Sequence, residues 1–177
     1  MTTAKGERRP VGQLALAYLR QPEESTWEPL RRAIVSDPTF DPDLDVRRVV
    51  GARLDPGASA PEEVVTDLLA RMPGAFLNPS AHLALGEALE RTGDLEEAHR
   101  ERAMAAAALH GVQVMGDGSV ERPWPVLRVA DEYDLLRSLG LRASGQSSRW
   151  QGGAFVDRIL CQDGVERFFV VRQDLGA

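Results

Sequence analysis

The chemistry open to this chain starts at Gly116-Asp117-Gly118. Two glycines there would let the backbone approach a ligand, and the aspartate could bind a cation. A calcium loop, however, repeats carboxylates at alternate positions, and this one has a single carboxylate. A phosphate loop needs Lys-Ser/Thr after its glycines, and none follows. The plainer reading is a tight turn. With Glu132, Gln146 and Asp157, Asp117 forms the set of candidate ligand-binding side chains, those of a small-molecule or cation sensor built on the Gly116–Gly118 loop.

Other constellations fall short of chemistry. His99 and His110 could share a helix face, but they would lie about 16 Å apart along its axis, too far for one metal. With His82 they read as surface or groove-lining residues, and no metal site is expected. Ser147 and Ser148 lack a G-x-S-x-G elbow and have no histidine nearby in sequence. Cys161 is the single cysteine, which excludes an intramolecular disulfide and a cysteine-based zinc cage. Glu132, Tyr133 and Asp134 suit the first turn of a helix, where acids complement the dipole, and Tyr133 with Leu136 reads as core. Trp27, Trp124 and Trp150 are the candidate protein-interaction anchors, because aromatic side chains dominate interface energetics. No cofactor, no catalytic residue and no enzymatic activity are expected.

The elements that would position these residues change in character near residue 112. Val11 to Leu19 reads as a helix stopped by Pro22, and Ser25 to Glu28 has capping-box spacing ahead of Leu30, Ile34 and Val35. Pro38 and Pro42 lie in an acidic, turn-rich linker, and Val46 to Leu54 fits either helix or strand. After the break at Asp55-Pro56-Gly57, Ser59 and Glu62 have capping-box spacing before a stripe of Val64, Val65, Leu68, Leu69 and Met72. Asn78-Pro79 starts the next helix, Gly93 closes it, and Asp94 caps an alanine-rich helix reaching at least Leu109.

Beyond Gly118, Val126 to Val129 reads as a short strand, and Asp131 as the cap of a short helix ended by Gly140. Phe155 to Gln162 and Val165 to Val171 flank Asp163-Gly164, a strong hairpin signal. A two-residue type I′ turn would pair Gln162 with Val165, so that Ile159 faces Phe168 and Asp157 faces Val170. Asp157 would then lie diagonal to Arg172, within ion-pair reach. Ile159, Phe168 and Phe155 would share one face, with Leu160, Phe169, Val156 and Val171 on the other, both at least partly covered.

Leu85-Gly86, Ala88-Leu89, Gly93-Asp94-Leu95, Glu97-Ala98 and Ala105 resemble one tetratricopeptide (TPR) repeat, in which small residues let two antiparallel helices pack closely. His82 and Arg102 depart from the motif. One repeat does not make a peptide-binding array, which needs about three. A wider resemblance adds Gly116-Asp117-Gly118, Asp131 to Leu136, Leu139-Gly140-Leu141, Gln146, Asp157 and Phe168-Phe169. These residues are similar to an uncharacterised bacterial domain family of unknown function, with a helical TPR-like half, a GDG loop, a D-E-Y helix and a closing strand pair. Arg122 to Pro125 and Ser147-Ser148 depart from it. The resemblance implies an arrangement of elements and no activity.

Composition sets the outer bounds. A net charge of −6 argues against a nucleic-acid partner, and the pairs Arg8-Arg9, Arg31-Arg32 and Arg47-Arg48 read as solvated surface. Lys5 is the only lysine, a bias that fits a GC-rich bacterial genome. No apolar run approaches the ~18 residues of a membrane span, so no membrane partner and a cytoplasmic location are expected. The expected fold is α+β: an N-terminal α-helical, TPR-like layer (residues 1–111), then a small antiparallel β-sheet with one helix (112–177). The expected role is a non-enzymatic protein–protein interaction or scaffold module with another protein as partner; the alternative is the small-molecule or cation sensor.

Overall fold

The computed structural model describes residues 10–55, 60–151 and 153–173. The fold is α+β, with a helical region followed by a four-stranded sheet and one helix. Among the described residues the helical region holds α1 (Val11–Arg20), α2 (Glu24–Val35), α3 (Val46–Val50), α4 (Pro61–Leu69), α5 (Pro79–Thr92) and α6 (Leu95–Met115). A single 3-10 turn (Gly51–Leu54) extends α3, so the segment from Val46 to Leu54 is helical.

Local capping chemistry explains most of these bounds. Asn78 accepts from the Ala81 N–H at 2.7 Å, and Pro79 occupies the first turn of α5, where its missing donor costs nothing. Gly93 ends α5 at φ 91°, and Asp94 caps α6. The start of α2 corrects the expected Ser25–Glu28 box. Glu23 is the N-cap, and its box is closed by Thr26, whose hydroxyl accepts from the Glu23 N–H. Helix α4 begins at Pro61, and the expected cap Ser59 lies outside the described residues, as do Pro56, Gly57, Arg8 and Arg9.

The helices pack in pairs around two cores. Val46, Val64, Leu68 and Leu85 join α3, α4 and α5. Tyr18, Trp27, Leu30 and Ile34 join α1 and α2 to Ala108 of α6 and to Leu127. Helices α5 and α6 are antiparallel neighbours, and Gly86 lies at their crossing, where a Cβ would stand 3.2 Å from the Ala98 carbonyl oxygen. The last turns of α6, through Leu109 and Val112, pack on the core of the sheet. Helix α6 therefore serves both halves and runs past residue 111.

The sheet is ordered β1-β4-β3-β2, from β1 (Trp124–Val126), β2 (Ala143–Gln151), β3 (Ala154–Cys161) and β4 (Glu166–Val171). Strands β2, β3 and β4 are antiparallel, but β1 joins β4 in parallel, because α7 (Val129–Ser138) intervenes before the hairpins. Strand β1 begins at Trp124, not Val126. Helix α7 begins at Val129, so Asp131 lies inside the first turn, where its Oδ2 accepts from the Arg128 N–H at 3.0 Å.

The hairpin forms, with a different register from the one expected. Ile159 faces Arg167, Asp157 faces Phe169, and the Cys161 N–H donates to the Val165 carbonyl at 3.0 Å. The loop thus has three residues. Gly164 alone takes positive φ, at 80°, while Asp163 stays in the negative region and accepts from the Val165 N–H at 2.9 Å. A type I′ turn needs positive φ at both central residues, whereas a three-residue loop needs it only at the glycine. The one-residue shift puts Ile159 and Phe169 together on the buried face and leaves Phe155 55% exposed. Leu160 is exposed, and Phe168 and Val170 are half-buried on the opposite face.

Candidate functional site

Helix α7 and the β2–β3 hairpin bring three of the four candidate ligand-binding residues together. Glu132 leaves α7 toward the sheet and is fully buried, and Asp157 meets it from β3 at 2% exposure. Gln146, on β2, lies above both. Its Nε2 donates to Asp157 Oδ2 at 3.1 Å and to Glu132 Oε2 at 3.3 Å. Its Oε1 accepts from the Tyr133 hydroxyl. Glu132 Oε1 and Asp157 Oδ1 have no hydrogen-bond donor. Burial first, and then the neighbouring Asp157 carboxylate, pushes Glu132 up to about 10. With Phe169 opposite Asp157, Arg172 is no longer diagonal to it, and the Asp157 carboxylate accepts from Gln146.

Tyr133 is a surface cap and not core, at 37% exposure; burial first, then Glu132 and Asp157, raise its hydroxyl. Glu132 and Asp134 are not solvated dipole partners. Asp134 is buried and accepts from Ser80 N–H and Oγ, at 3.1 and 2.8 Å, at the start of α5.

A second buried polar cluster, absent from the sequence reading, joins the two regions. Arg128 is 1% exposed; its Nε donates to the Asp41 carbonyl and its Nη2 to the Gly74 carbonyl, both at 2.7 Å. Its guanidinium lies 4.6 Å from the Phe40 ring centroid. Asp131 accepts from Asn78 Nδ2 at 2.8 Å, and burial pushes it up to about 7 against the pull of Arg128. Arg31, expected at the surface, is also buried; it pairs with Glu28 and donates to the Arg172 carbonyl at 3.1 Å, linking α2 to the end of β4.

Asp117 stands apart from this chemistry. Its Oδ1 accepts from the Ser119 N–H at 3.0 Å, and these hydrogen bonds to Ser119 hold its exposed carboxyl low. The flanking glycines serve Trp124. The indole Nε1 donates to the Gly116 carbonyl at 3.1 Å, and a Cβ on Gly118 would lie 2.6 Å from the ring. The loop is a seat for a buried tryptophan.

That seat removes Trp124 from the candidate anchors, and Trp27 is buried in the α1–α2 core, 4% exposed. Trp150 remains, 64% exposed and edge-on to Phe155 at 4.8 Å between centroids. His82 is buried as well. Its Nε2 donates to the Phe76 carbonyl at 2.7 Å, and its Nδ1 lies 2.6 Å from Glu101 Oε2, which makes it a tie between loop and helix.

Strand β2 is the element the sequence reading missed. Its residues, Ala-Ser-Gly-Gln-Ser-Ser-Arg-Trp-Gln, show no period-two apolar alternation. Among the described residues it pairs only with β3; it has a register irregularity at Ala143/Gly145 and is exposed along nearly its whole length. The opposite edge, β1, is buried and packs beside α6.

Among the described residues no group of three or more His, Cys, Asp or Glu is arranged to hold a metal, and no helix is long and apolar enough to cross a membrane. A groove of about 620 Å³ lies between the α3 approach and α7, with Asp43, Asp45, Arg47, Ser80, Asp134 and Arg137 on its walls. Its charges of both signs select no ligand class. Compared with known proteins, the chain matches no family model, no curated protein and no solved structure.

Proposed function

We propose that this protein is a non-enzymatic protein-interaction module that receives an extended segment of a partner along β2. The observation that carries the reading is the open edge. A nine-residue strand that, among the described residues, is hydrogen-bonded on one side only presents open backbone groups to any chain that can add to the sheet. Trp150 and Phe155 offer exposed aromatic surface at its end. The strand itself carries no acid, and Arg142 and Arg149 are exposed on and beside it. The segment that fits is therefore extended, with an acidic residue for the arginines and an apolar one for Trp150.

A small-molecule or cation sensor on the Gly116–Gly118 loop has less to support it, since Asp117 accepts from Ser119 while Gln146 joins Glu132 to Asp157. The test is affinity capture from the native host with the wild-type chain and with Trp150→Ser and Ser147→Lys. A lysine on an edge strand discourages strand addition. A partner kept by wild type and lost by both variants supports the reading. One kept equally by all three, or a second copy of this chain as the sole occupant, contradicts it.

A further inference from the structure

Two buried carboxyl groups that share one glutamine donor have one economical arrangement. Gln146 Nε2 supplies a donor to one oxygen of each, and Glu132 Oε1 and Asp157 Oδ1 are left without any. A buried carboxylate oxygen without a donor is costly, and two of them in contact add mutual repulsion. A single proton between the two side chains removes both costs. We propose that Glu132 and Asp157 share one proton, and that this proton fastens the β2–β3 hairpin to α7, so that the docking of the sheet loosens as pH rises.

The surroundings favour this arrangement. From α7, Asp131 and Tyr133 are the titratable neighbours acting on or beside Glu132; from β3 it is Asp157, and from β2 the neutral Gln146. Strands β1 and β4 and helix α6 supply apolar side chains to this core: Trp124, Val126, Phe169, Leu109 and Val112. Cys161, farther along β3, is raised by burial and by Asp163. No arginine is among the charges that shift Glu132.

The sign follows from linkage. Glu132 is raised from 4.5 to about 10 in the folded chain, so its contribution is full below the ordinary glutamate range and is lost as pH rises to about 10. In that interval folding takes up one proton, and the folding equilibrium constant falls about tenfold per pH unit. Asp131, raised to about 7, adds its own slope only below that value. Measurements above about pH 7.5 therefore separate the pair from Asp131.

The test is urea unfolding of the full chain at steps from about pH 7.5 to about pH 9, comparing wild type with Glu132→Gln and Asp157→Asn. Each amide supplies a donor that needs no shared proton. The quantity read is the difference in slope, since Cys161 and the tyrosines are common to all three. Wild type is expected to lose about tenfold more folding constant per pH unit than Glu132→Gln, with Asp157→Asn, which keeps Glu132 buried but gives it a donor, falling between them. Carbon-13 carboxyl spectra of the wild-type chain give a reading independent of any variant: one carboxyl of the pair should remain protonated at pH 7.5. Equal slopes in all three chains, or a pair fully ionised at pH 7.5, would overturn the proposal. So would sodium or calcium chloride at pH 9 restoring wild-type stability but not that of the variants, because a cation would then hold the place given to the proton.

Discussion

The Trp124 indole rests on the backbone of Gly118, so closely that a Cβ there would stand 2.6 Å from the ring. Gly118 also holds φ at 76°, so two independent requirements fix the residue type. Gly118→Ala is expected to cost roughly 2–4 kcal/mol, from overpacking against a rigid ring and from the left-handed backbone. Asp117→Asn, by contrast, should shift the melting temperature by no more than a few degrees, with no response to calcium or magnesium. Thermal melts of both variants with and without the salts check the pair. A calcium-dependent shift lost in Asp117→Asn would restore the cation-sensor reading.

Tyr18 and Gly111 make a similar contact across the helical region. The Tyr18 hydroxyl donates to the Ala107 carbonyl at 3.0 Å, and a Cβ on Gly111 would lie 1.6 Å from the hydroxyl oxygen of Tyr18. Burial raises the Tyr18 hydroxyl to about 12. Tyr18→Phe should cost about 1 kcal/mol, the net value of one hydrogen bond. Gly111→Ala should cost roughly 1–3 kcal/mol, because α1 must move off α6. Denaturant titration of the two variants separates these effects, and a neutral Gly111→Ala would contradict the packing described.

The hairpin makes a backbone prediction free of packing. A Cβ on Gly164 would meet nothing within 4 Å, so any cost there is the cost of positive φ. Gly164→Val should lose roughly 1–2 kcal/mol or more, and Gly164→Asn clearly less, because asparagine visits that region readily. Equal stability of the two variants would contradict the loop geometry. Cross-strand contacts between Ile159 and Arg167, observed by nuclear magnetic resonance, would check the register directly.

Helix α6 links the halves, and a fragment ending at Gly111 would cut it four residues short of Met115 and strip away Leu127, α7 and the sheet. Asn78, Asp41 and Gly74 would lose their partners on Asp131 and Arg128. Residues 1–111 expressed alone should therefore melt without a sharp transition, while the full chain melts as one unit. Cooperative, two-state melting of the fragment would show that the helical region folds independently.

What the sequence made legible was mostly local. The bounds of α5 and α6 follow from Asn78, Gly93 and Asp94, each of which acts within a few residues of itself. The hairpin was legible as a hairpin, but Asp163-Gly164 suits two loop lengths, and a side chain's backbone angle decided between them. Glu132, Gln146 and Asp157 stood out singly, whereas their contact spans helix and strands and needed a strand, β2, that carries no apolar signature. The burial of Arg128 was out of reach for a different reason. Its acceptors are the backbone carbonyls of Asp41 and Gly74, which no side-chain pattern announces.

If β2 is the surface a partner uses, backbone amide exchange along that strand will register the partner's arrival. Hydrogen–deuterium exchange would be followed for the full chain alone and saturated with the partner recovered by capture. Strong new protection is expected across Gly145 to Gln151, with α7 and the Asp43–Arg47 groove unchanged. Unchanged exchange along β2, with protection appearing in the groove between the α3 approach and α7, would contradict it.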